Sequence, residues 1–565
     1  MGTMSGERFY ITTPIYYVND APHVGHCYTT VVADCVARYG RLGGRDVFFL
    51  TGTDEHAEKV ETAAAERGVG VREWADRNAQ RFERAFDFLS CSPDDFIRTS
   101  QSRHTRFVEG AIERLMASGD IELGTYEGWF DPSQEEYLTE SAARASGYVS
   151  PVTGRELVKR AEENYFFRLS RYQERLLAHF EAEPGFVRPE ARRNEILNRI
   201  REGLQDVPVS RAVKDGEGGA DSGWGIRMPG DEGHRVYVWI DALFNYLSAV
   251  RGEGVAGGGD AAAVAALDRS GYWPARVHLI AKDILWFHAV IWPALLMALD
   301  EELPGCVYTH SYWVREGRKM SKSLGNFLDL PTLEAYAERF GVDALRYYLL
   351  TNGPVGVTDS DFAYEHFVEV YNADLANGIG NAHSRVTNMI AKYFEGKVPE
   401  PDEALGGKAA DLGVDWRRVA GEASGGAVEL ALSMDPAGAI ARARAVSDEV
   451  DRFVNETKPF KLAKEGGRMG EVGTILYQCA EALRVACTLL GPAMPDTMAV
   501  AIERLGFTVD GTDSFESLVR WGRLEPGKRV TKGEALFPRA DAQDPPPDGG
   551  VAGGAGGVAG EGGVL

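Results

Sequence analysis

The sequence predicts an α/β protein: a Rossmann-like parallel sheet split by an insertion domain and followed by an α-helical bundle. Three features predict it. Near the start, Phe9 to Thr13 reads as a buried strand. Val24, Cys27, Tyr28, Val31, Val32, Cys35, Val36 and Tyr39 then recur at helical spacing until Gly43-Gly44, and Asp46 to Thr51 forms a second apolar run. Strand, helix and strand within about 45 residues make a right-handed βαβ unit, which takes its ligand beyond the strand C-termini. From about 120 to 230 the pattern breaks into short aromatic segments with turns at Gly124, Gly128, Gly147, Pro151 and Gly154, the mark of an insertion. Strand signals return at Val236 to Ile240 and at Val277 to Ile280. Beyond about 365 long amphipathic helices take over. Asp435-Pro436 supplies an N-cap and first-turn pair, with Ile440, Ala443, Val446, Val450, Phe453 and Val454 on one face.

The expected division is a first half of a nucleotide-binding catalytic domain at 1–119, a connective insertion at 120–230 and the second catalytic half at 231–310. A linking region follows at 311–365, then the helical bundle at 366–540 and a Gly/Pro-rich tail at 541–565 that cannot bury apolar area and reads as disordered. Glycine-rich stretches at 215–223 and 252–259 read as mobile surface loops. With 565 residues the chain can build more than one core.

A formal charge of −23 argues against nonspecific coating of nucleic acid, which needs a broad positive surface. Basic residues cluster only locally, as in Arg315, Arg318, Lys319 and Lys322, or Lys458, Lys461 and Lys464. Cys27, Cys35, Cys91, Cys306, Cys479 and Cys487 are scattered without metal-ligand or disulfide spacing, which fits a reducing cytoplasm. The longest apolar run, around Ala289 to Leu299, is too short to span a bilayer, so a soluble protein without a membrane partner is expected.

Two short segments carry the chemistry. In His23-Val24-Gly25-His26 the imidazoles lie three apart just after Asp20-Ala21-Pro22. If a helix starts there, both rings face the same way beside its unbonded N–H groups, a setting for a triphosphate, and Gly25 leaves room for a flat base. In Lys319-Met320-Ser321-Lys322-Ser323 two ammonium groups on a Gly-flanked loop can follow charge onto a departing pyrophosphate. No GxGxxG accompanies the βαβ unit, so a dinucleotide is not indicated.

Together the two segments resemble the HIGH and KMSKS signatures of class I aminoacyl-tRNA synthetases. FYITTPIYY (9–17), FFLTGTDEH (48–56), VYVWIDALFNY (236–246) and IAKDILWFHAVIWP (280–293) resemble the methionyl-tRNA synthetase family within that class, over about residues 7–540. The resemblance implies ATP with Mg²⁺, methionine and tRNA-Met, initiator and elongator, as reactants. It gives His23, His26, Lys319 and Lys322 catalytic roles, and with Gly25, Met320, Ser321 and Ser323 they bind ATP. Ile15, Tyr17, Asp54, Trp239, Ala242, Tyr246, Asp283, Ile284, His288 and Trp292 form the methionine site. Asp54 either pairs with the ammonium or caps a helix, and Asp283 either faces substrate or ribose or holds structure. Asn381 and Arg385, four apart on one helix face, read a CAU anticodon, and Phe460 stacks on it where the family usually has tryptophan.

Further departures are Leu243, where the family often has proline, and Ala57, where it often has glycine. Asp131, Gln134 and Ser150 stand at cysteine-like positions of the family's zinc knuckle, so no structural zinc and no metal ligands are expected. No long segment follows the bundle to form the family's extra dimerising barrel, so a monomer is expected. Competing readings are a small nucleotidyltransferase without tRNA, against which the bundle speaks, and a noncatalytic tRNA-binding paralogue, which has no need of both signatures.

Overall fold

The computed structural model describes residues 6–131, 136–138, 140–151, 153–213, 223–251, 269–320, 326–402, 414–465, 467–541 and 543–547. Its centre is a six-stranded, wholly parallel sheet. The strands are β1 (Arg8–Tyr17), β2 (Asp46–Asp54), β3 (Asp95–Arg98), β4 (Val187–Arg188), β5 (Val277–Ala281) and β6 (Val307–His310), in the order β3-β2-β1-β5-β6-β4. Chain order runs outward from β1 through β2 to β3 on one side and from β5 to β6 on the other, with the earlier β4 added at that edge, so the switch point, where such sheets bind ligands, lies beyond the ends of β1 and β5. β1 runs four residues past Thr13, where its apolar run ended. Pro14 removes a ladder donor, and the register shifts between Thr12 and Ile15, but the strand resumes with Ile15 beside Gly52 and Tyr17 beside Asp54. Gly52 is obligatory there, since a Cβ would stand 1.9 Å from the Ile97 carbonyl oxygen.

The helix α1 (Val24–Leu42) follows β1, with its apolar residues buried and Gly43 at its C-cap, as the spacing predicted. An antiparallel sheet of Glu136–Leu138, Ile121–Asp131, Val158–Phe167 and Val207–Pro208 interrupts the main sheet. Between its last two strands, helices Gln173–Ala182 and Glu190–Arg201 bracket β4, which returns to the edge of the central sheet. The run Val236 to Ile240 is not one strand. The strand Asp231–Val236 ends there, and Val238–Leu243 is a short helix, because a brief apolar run does not distinguish the two by periodicity.

Four further helices matter below: α2 (Ser102–Ala117), α3 (Val238–Leu243), α4 (Asn245–Arg251) and α5 (Val342–Asn352). The bundle is made by α6 (Gly380–Tyr393), α7 (Trp416–Leu432), α8 (Pro436–Thr457) and α9 (Met469–Leu490). α8 starts as expected, with Asp435 accepting the Gly438 N–H at 2.8 Å, and Ile440, Ala443, Val446, Val450, Phe453 and Val454 are all buried. Among the described residues no strand follows Ser360–Phe362, and no helix is long and apolar enough to cross a membrane. The glycine-rich stretch 252–259 and residues 215–222 lie outside the described residues.

α1 is shared between the sheet and the bundle. Tyr39 donates to the Leu489 carbonyl at 2.8 Å, and midway along the helix the fully buried Asp34 pairs with the fully buried Arg346 of α5 at 2.8 Å. Arg346 also donates to the carbonyls of Leu89 (2.8 Å), Pro492 (3.0 Å) and Ala493 (3.0 Å), while Asp34 accepts from Arg38 (2.8 Å) and from both the backbone and hydroxyl of Ser92 (2.7 and 2.9 Å). Burial alone would raise the Asp34 pKa, but Arg346 and Arg38 overcome it and hold the carboxyl below its ordinary value. Replacing Arg346 with methionine strands that carboxylate and should cost about 3–5 kcal/mol, read as a lowered denaturant midpoint. Adding Asp34→Leu should recover part of the loss, because the pair is then removed as a unit.

Candidate active site

His23 is the N-cap of α1. Its Nδ1 accepts the Gly25 N–H at 3.0 Å, and the His26 Nδ1 accepts the His23 N–H at 3.3 Å, so the two imidazoles cap the helix reciprocally with ring centroids 3.9 Å apart. With each Nδ1 used as acceptor, the proton of the neutral ring sits on Nε2. Desolvation, with His23 adding to it, pushes the His26 pKa well below its ordinary value. Gly25 is needed by the cap itself, since a Cβ would come 2.9 Å from the His23 Cε1.

The second signature approaches the first. Lys319 ends a hairpin of Trp313–Arg315 and Arg318–Lys319, and the Asn326 side chain donates to the Lys319 carbonyl at 3.3 Å, clasping the two ends of the intervening loop. Just beyond it, Val24 donates to the Leu328 carbonyl at 2.9 Å, His23 and Asp329 form a β-bridge, and the Phe327 ring meets His23 edge-on at 5.0 Å. Asp329 caps the following helix, Leu330–Phe340, so two helix starts converge. Ser321, Lys322 and Ser323 lie outside the described residues. Lys319 is exposed, Met320 packs half-buried against the core, and neither lines the cavity described next.

A cavity of about 650 Å³ opens beyond β1 and β5. His23, Gly25, His26, Ile15, Tyr17, Asp54, Trp239, Ala242, Tyr246, Asp283, Ile284 and His288 all line it, together with Leu243. Trp292 does not. It lies fully buried behind Tyr246, at 6.0 Å between centroids, and donates to His278 at 3.3 Å, a core role. The walls are aromatic: Trp239 stacks on Phe287 at 4.2 Å and meets Tyr17 edge-on at 5.9 Å. His288 Nδ1 bonds the Ile284 carbonyl at 2.9 Å and so carries the proton, which leaves Nε2 to accept the Tyr246 hydroxyl at 2.7 Å. Burial pushes the His288 pKa down to about 4, so this wall is neutral.

Three carboxylates reach the cavity, those of Asp20, Asp54 and Asp283. Asp54 is buried at the end of β2 and is not a cap, since the next helix, Glu58–Glu66, is capped by Ala57. Burial raises the Asp283 pKa, opposed by a hydrogen bond from Tyr312. Sequence reasoning missed Phe287, Lys59, Tyr312 and His310 among the lining residues. The signal for His310 was its place at the C-terminal end of a parallel strand. Its Nε2 bonds the α1 hydroxyl of Thr29 at 2.8 Å and its Nδ1 the Ser311 carbonyl at 2.8 Å, with burial pushing its pKa down to about 4.

Asn381 and Arg385 lie apart from the cavity, on α6. Arg385 bonds Asp451 and Asn455 of α8, each at 2.8 Å, and Asn381 also bonds Asp451. Phe460 follows shortly after α8 with 38% of its surface exposed. In the insertion, the Ser150 hydroxyl closes a turn by accepting the Thr153 N–H at 3.1 Å, and Gln134 lies outside the described residues. With a hydroxyl and the carboxyl of Asp131 in place of thiolates, these residues do not suit zinc.

Residues 9–149 and 146–387 match the family model of class I (M) tRNA synthetases. The chain is 42% identical over 537 residues to the methionine–tRNA ligase of Caldanaerobacter subterraneus subsp. tengcongensis, covering 95% of this chain and 80% of the relative. To the Bacillus subtilis enzyme it is 40% identical, with 95% and 79% covered. Among solved structures it is similar to Mycobacterium tuberculosis methionyl-tRNA synthetase in complex with methionyl-adenylate, with a TM-score of 0.81, 36% identity, and coverage of 94% of this chain and all of that one.

A pH dependence follows from the buried imidazoles. Desolvation lowers the pKa of His288, His310 and His383 to about 4, against 6.5 when unfolded, and holds those of His26 and His278 well below their ordinary value. Between those values the unfolded chain binds protons that the folded chain excludes, so stability is lost as pH falls from 6.5 toward 4. Thermal melts at about pH 7 and about pH 5 should show a lowered midpoint at the acid end, with a smaller drop in His383→Gln.

Proposed function

The chain belongs to the methionine–tRNA ligases of the class I tRNA synthetases, and we propose that His23, His26 and the Lys319–Ser323 loop hold its ATP while the aromatic walls beside them hold methionine. As a ligase of this family it activates L-methionine with ATP to methionyl-adenylate, releasing pyrophosphate, and passes the methionyl group to the terminal adenosine of tRNA-Met. The carboxylate of methionine attacks the α-phosphorus in line, so no protein nucleophile is needed, and catalysis rests on positioning and charge stabilisation. Mg²⁺ enters as the substrate Mg–ATP.

One observation carries this reading: the β-bridge between His23 and Asp329, which sets the end of the KMSKS loop against the start of α1 at the rim of the cavity. His23 and His26, neutral and protonated at Nε2, donate to phosphate oxygens without bringing a charge that the buried site must solvate. Lys319 and Lys322 supply the positive charge from the loop, Lys322 on the leaving pyrophosphate, with Met320, Ser321 and Ser323 shaping the same loop. Asp54 pairs with the methionine ammonium, Asp283 faces the substrate or ribose, and Ile15, Tyr17, Trp239, Ala242, Tyr246, Ile284 and His288 enclose the thioether. Trp292 supports that wall from behind. Asn381, Arg385 and Phe460 meet the CAU anticodon, whose bases compete with Asp451 and Asn455 for the Arg385 guanidinium. The working unit proposed is a monomer in the cytoplasm.

Methionine-dependent ATP–pyrophosphate exchange, run beside leucine and cysteine, tests the assignment, and exchange with methionine alone is expected. Lys322→Ala should cost about 3–4 kcal/mol in the activation barrier and lower turnover more than methionine affinity. Equal losses of ATP binding and rate would count against a transition-state role. Arg385→Ala should spare exchange and abolish charging of tRNA-Met. Phe460→Trp should charge more efficiently than the parent, and Phe460→Ala less, by about 1–3 kcal/mol if a base stacks there.

A further inference from the structure

Beneath the methionine pocket lies a polar chain that takes no part in lining it. Asp241, 1% exposed, sits in α3 between Ile240 and Ala242. Its Oδ1 bonds His104 Nε2 at 2.7 Å and its Oδ2 bonds His56 Nδ1 at 2.7 Å, while His104 Nδ1 bonds the Ser248 hydroxyl at 2.8 Å. A buried carboxylate can only accept, so each imidazole presents N–H to it, while the other nitrogen of His104 bonds the Ser248 hydroxyl, which in turn donates to the Asn245 carbonyl at 3.2 Å. The chain therefore links Ser248, His104 and Asp241, with His56 donating from the other side. Although burial opposes it, the two imidazoles hold the Asp241 pKa down to about 2.

These four residues cross-link the segments that build the pocket. His56 follows Asp54 by two residues, α3 carries Trp239 and Ala242, α4 carries Tyr246 along with Ser248, and α2 contributes His104. α3 has six residues, too few to hold a helical conformation or a fixed rotation by itself. At about 100° per residue, Trp239 and Ala242 point roughly 160° and 100° away from Asp241 around the helix. Anchoring Asp241 on the far side therefore turns Trp239 and Ala242 into the cavity.

We propose that Asp241 is a positioning residue for methionine: clamped between His56 and His104, it sets the rotation of α3 and so the wall against which the thioether packs. The proposal rests on the methionine-site reading above. ATP contacts α1 and the loop, which this chain does not touch, so the effect falls on one substrate. In the full chain, Asp241→Asn should raise the methionine KM for exchange roughly ten-fold, with the ATP KM and saturated rate within about three-fold of the parent. The methionine Kd, read from intrinsic tryptophan fluorescence, should rise in parallel.

Ser248→Ala removes only the outermost hydrogen-bond partner of the chain and decides the question if Asp241→Asn does not fold. A methionine KM and Kd raised about two- to five-fold at unchanged rate is expected. His56→Asn, which keeps an N–H donor, should bind methionine more tightly than His56→Leu. Methionine constants unchanged in folded variants, or ATP KM and rate falling in step with methionine affinity, would overturn the proposal. Methionine binding by a parent without exchange activity would overturn the ligase reading instead, and the binding arm would still decide the role of Asp241.

Discussion

One helix carries the strain of joining two functions. α1 begins with the His23–His26 cap at the rim of the cavity and is gripped midway by the Asp34–Arg346 pair, which ties it to the helices behind the bundle. An isolated ion pair at zero exposure would cost more in desolvation than it returns. Here each charge is satisfied from several directions: Arg346 by three backbone carbonyls besides Asp34, and Asp34 by Ser92 and Arg38. The bundle therefore does not hang from a linker. It is bonded to the same rigid element whose N-terminus lines the cavity with His23, Gly25 and His26, and the cavity inherits its geometry from that joint.

Around the cavity, burial sorts the ionisable groups. Histidines packed beneath the surface lose their charge, so His26, His288 and His310 act as fixed dipoles whose tautomers are dictated by backbone and hydroxyl partners. The carboxylates diverge. Asp241 is kept ionised by two imidazoles, whereas Asp283 is pushed toward its neutral form by burial at the mouth. The result is a largely neutral, aromatic enclosure suited to a thioether, beside a helix start and a cationic loop suited to phosphates. Lys59 brings a cation to the cavity lining, 5.9 Å from the Tyr17 ring centroid.

Much of this was written in local pattern. The β1–α1–β2 unit, the Gly43 stop, the Asp435 cap and the buried face of α8 follow from spacing that any chain segment of that composition would obey. Where the reading went astray, local cues conflicted with longer-range pairing. Pro14 reads as the end of a strand, yet Gly52 and Asp54 of the neighbouring strand keep Ile15 and Tyr17 in register. Val236 to Ile240 reads as one strand, yet the chain turns after Val236 to place Asp241 between two histidines. Trp292 shares its motif with true lining residues, and only packing against His278 and Phe244 shows that it stands one layer back.

Residue types and spacing determined the fold class and singled out the two signature segments, because periodicity, capping chemistry and motif residues act within a few positions of one another, while the resemblance to the family supplied most of the residues that line the cavity. Three-dimensional packing settled the rest: that Asp329 meets His23 across 306 positions, that Arg385 is already engaged by α8, that Asp54 is not the N-cap of the helix that follows it, and that His56, His104 and Asp241 form one hydrogen-bonded chain. Hydrogen bonds and burial between distant segments depend on which surfaces the completed core brings together, and that information is carried by no single stretch of chain.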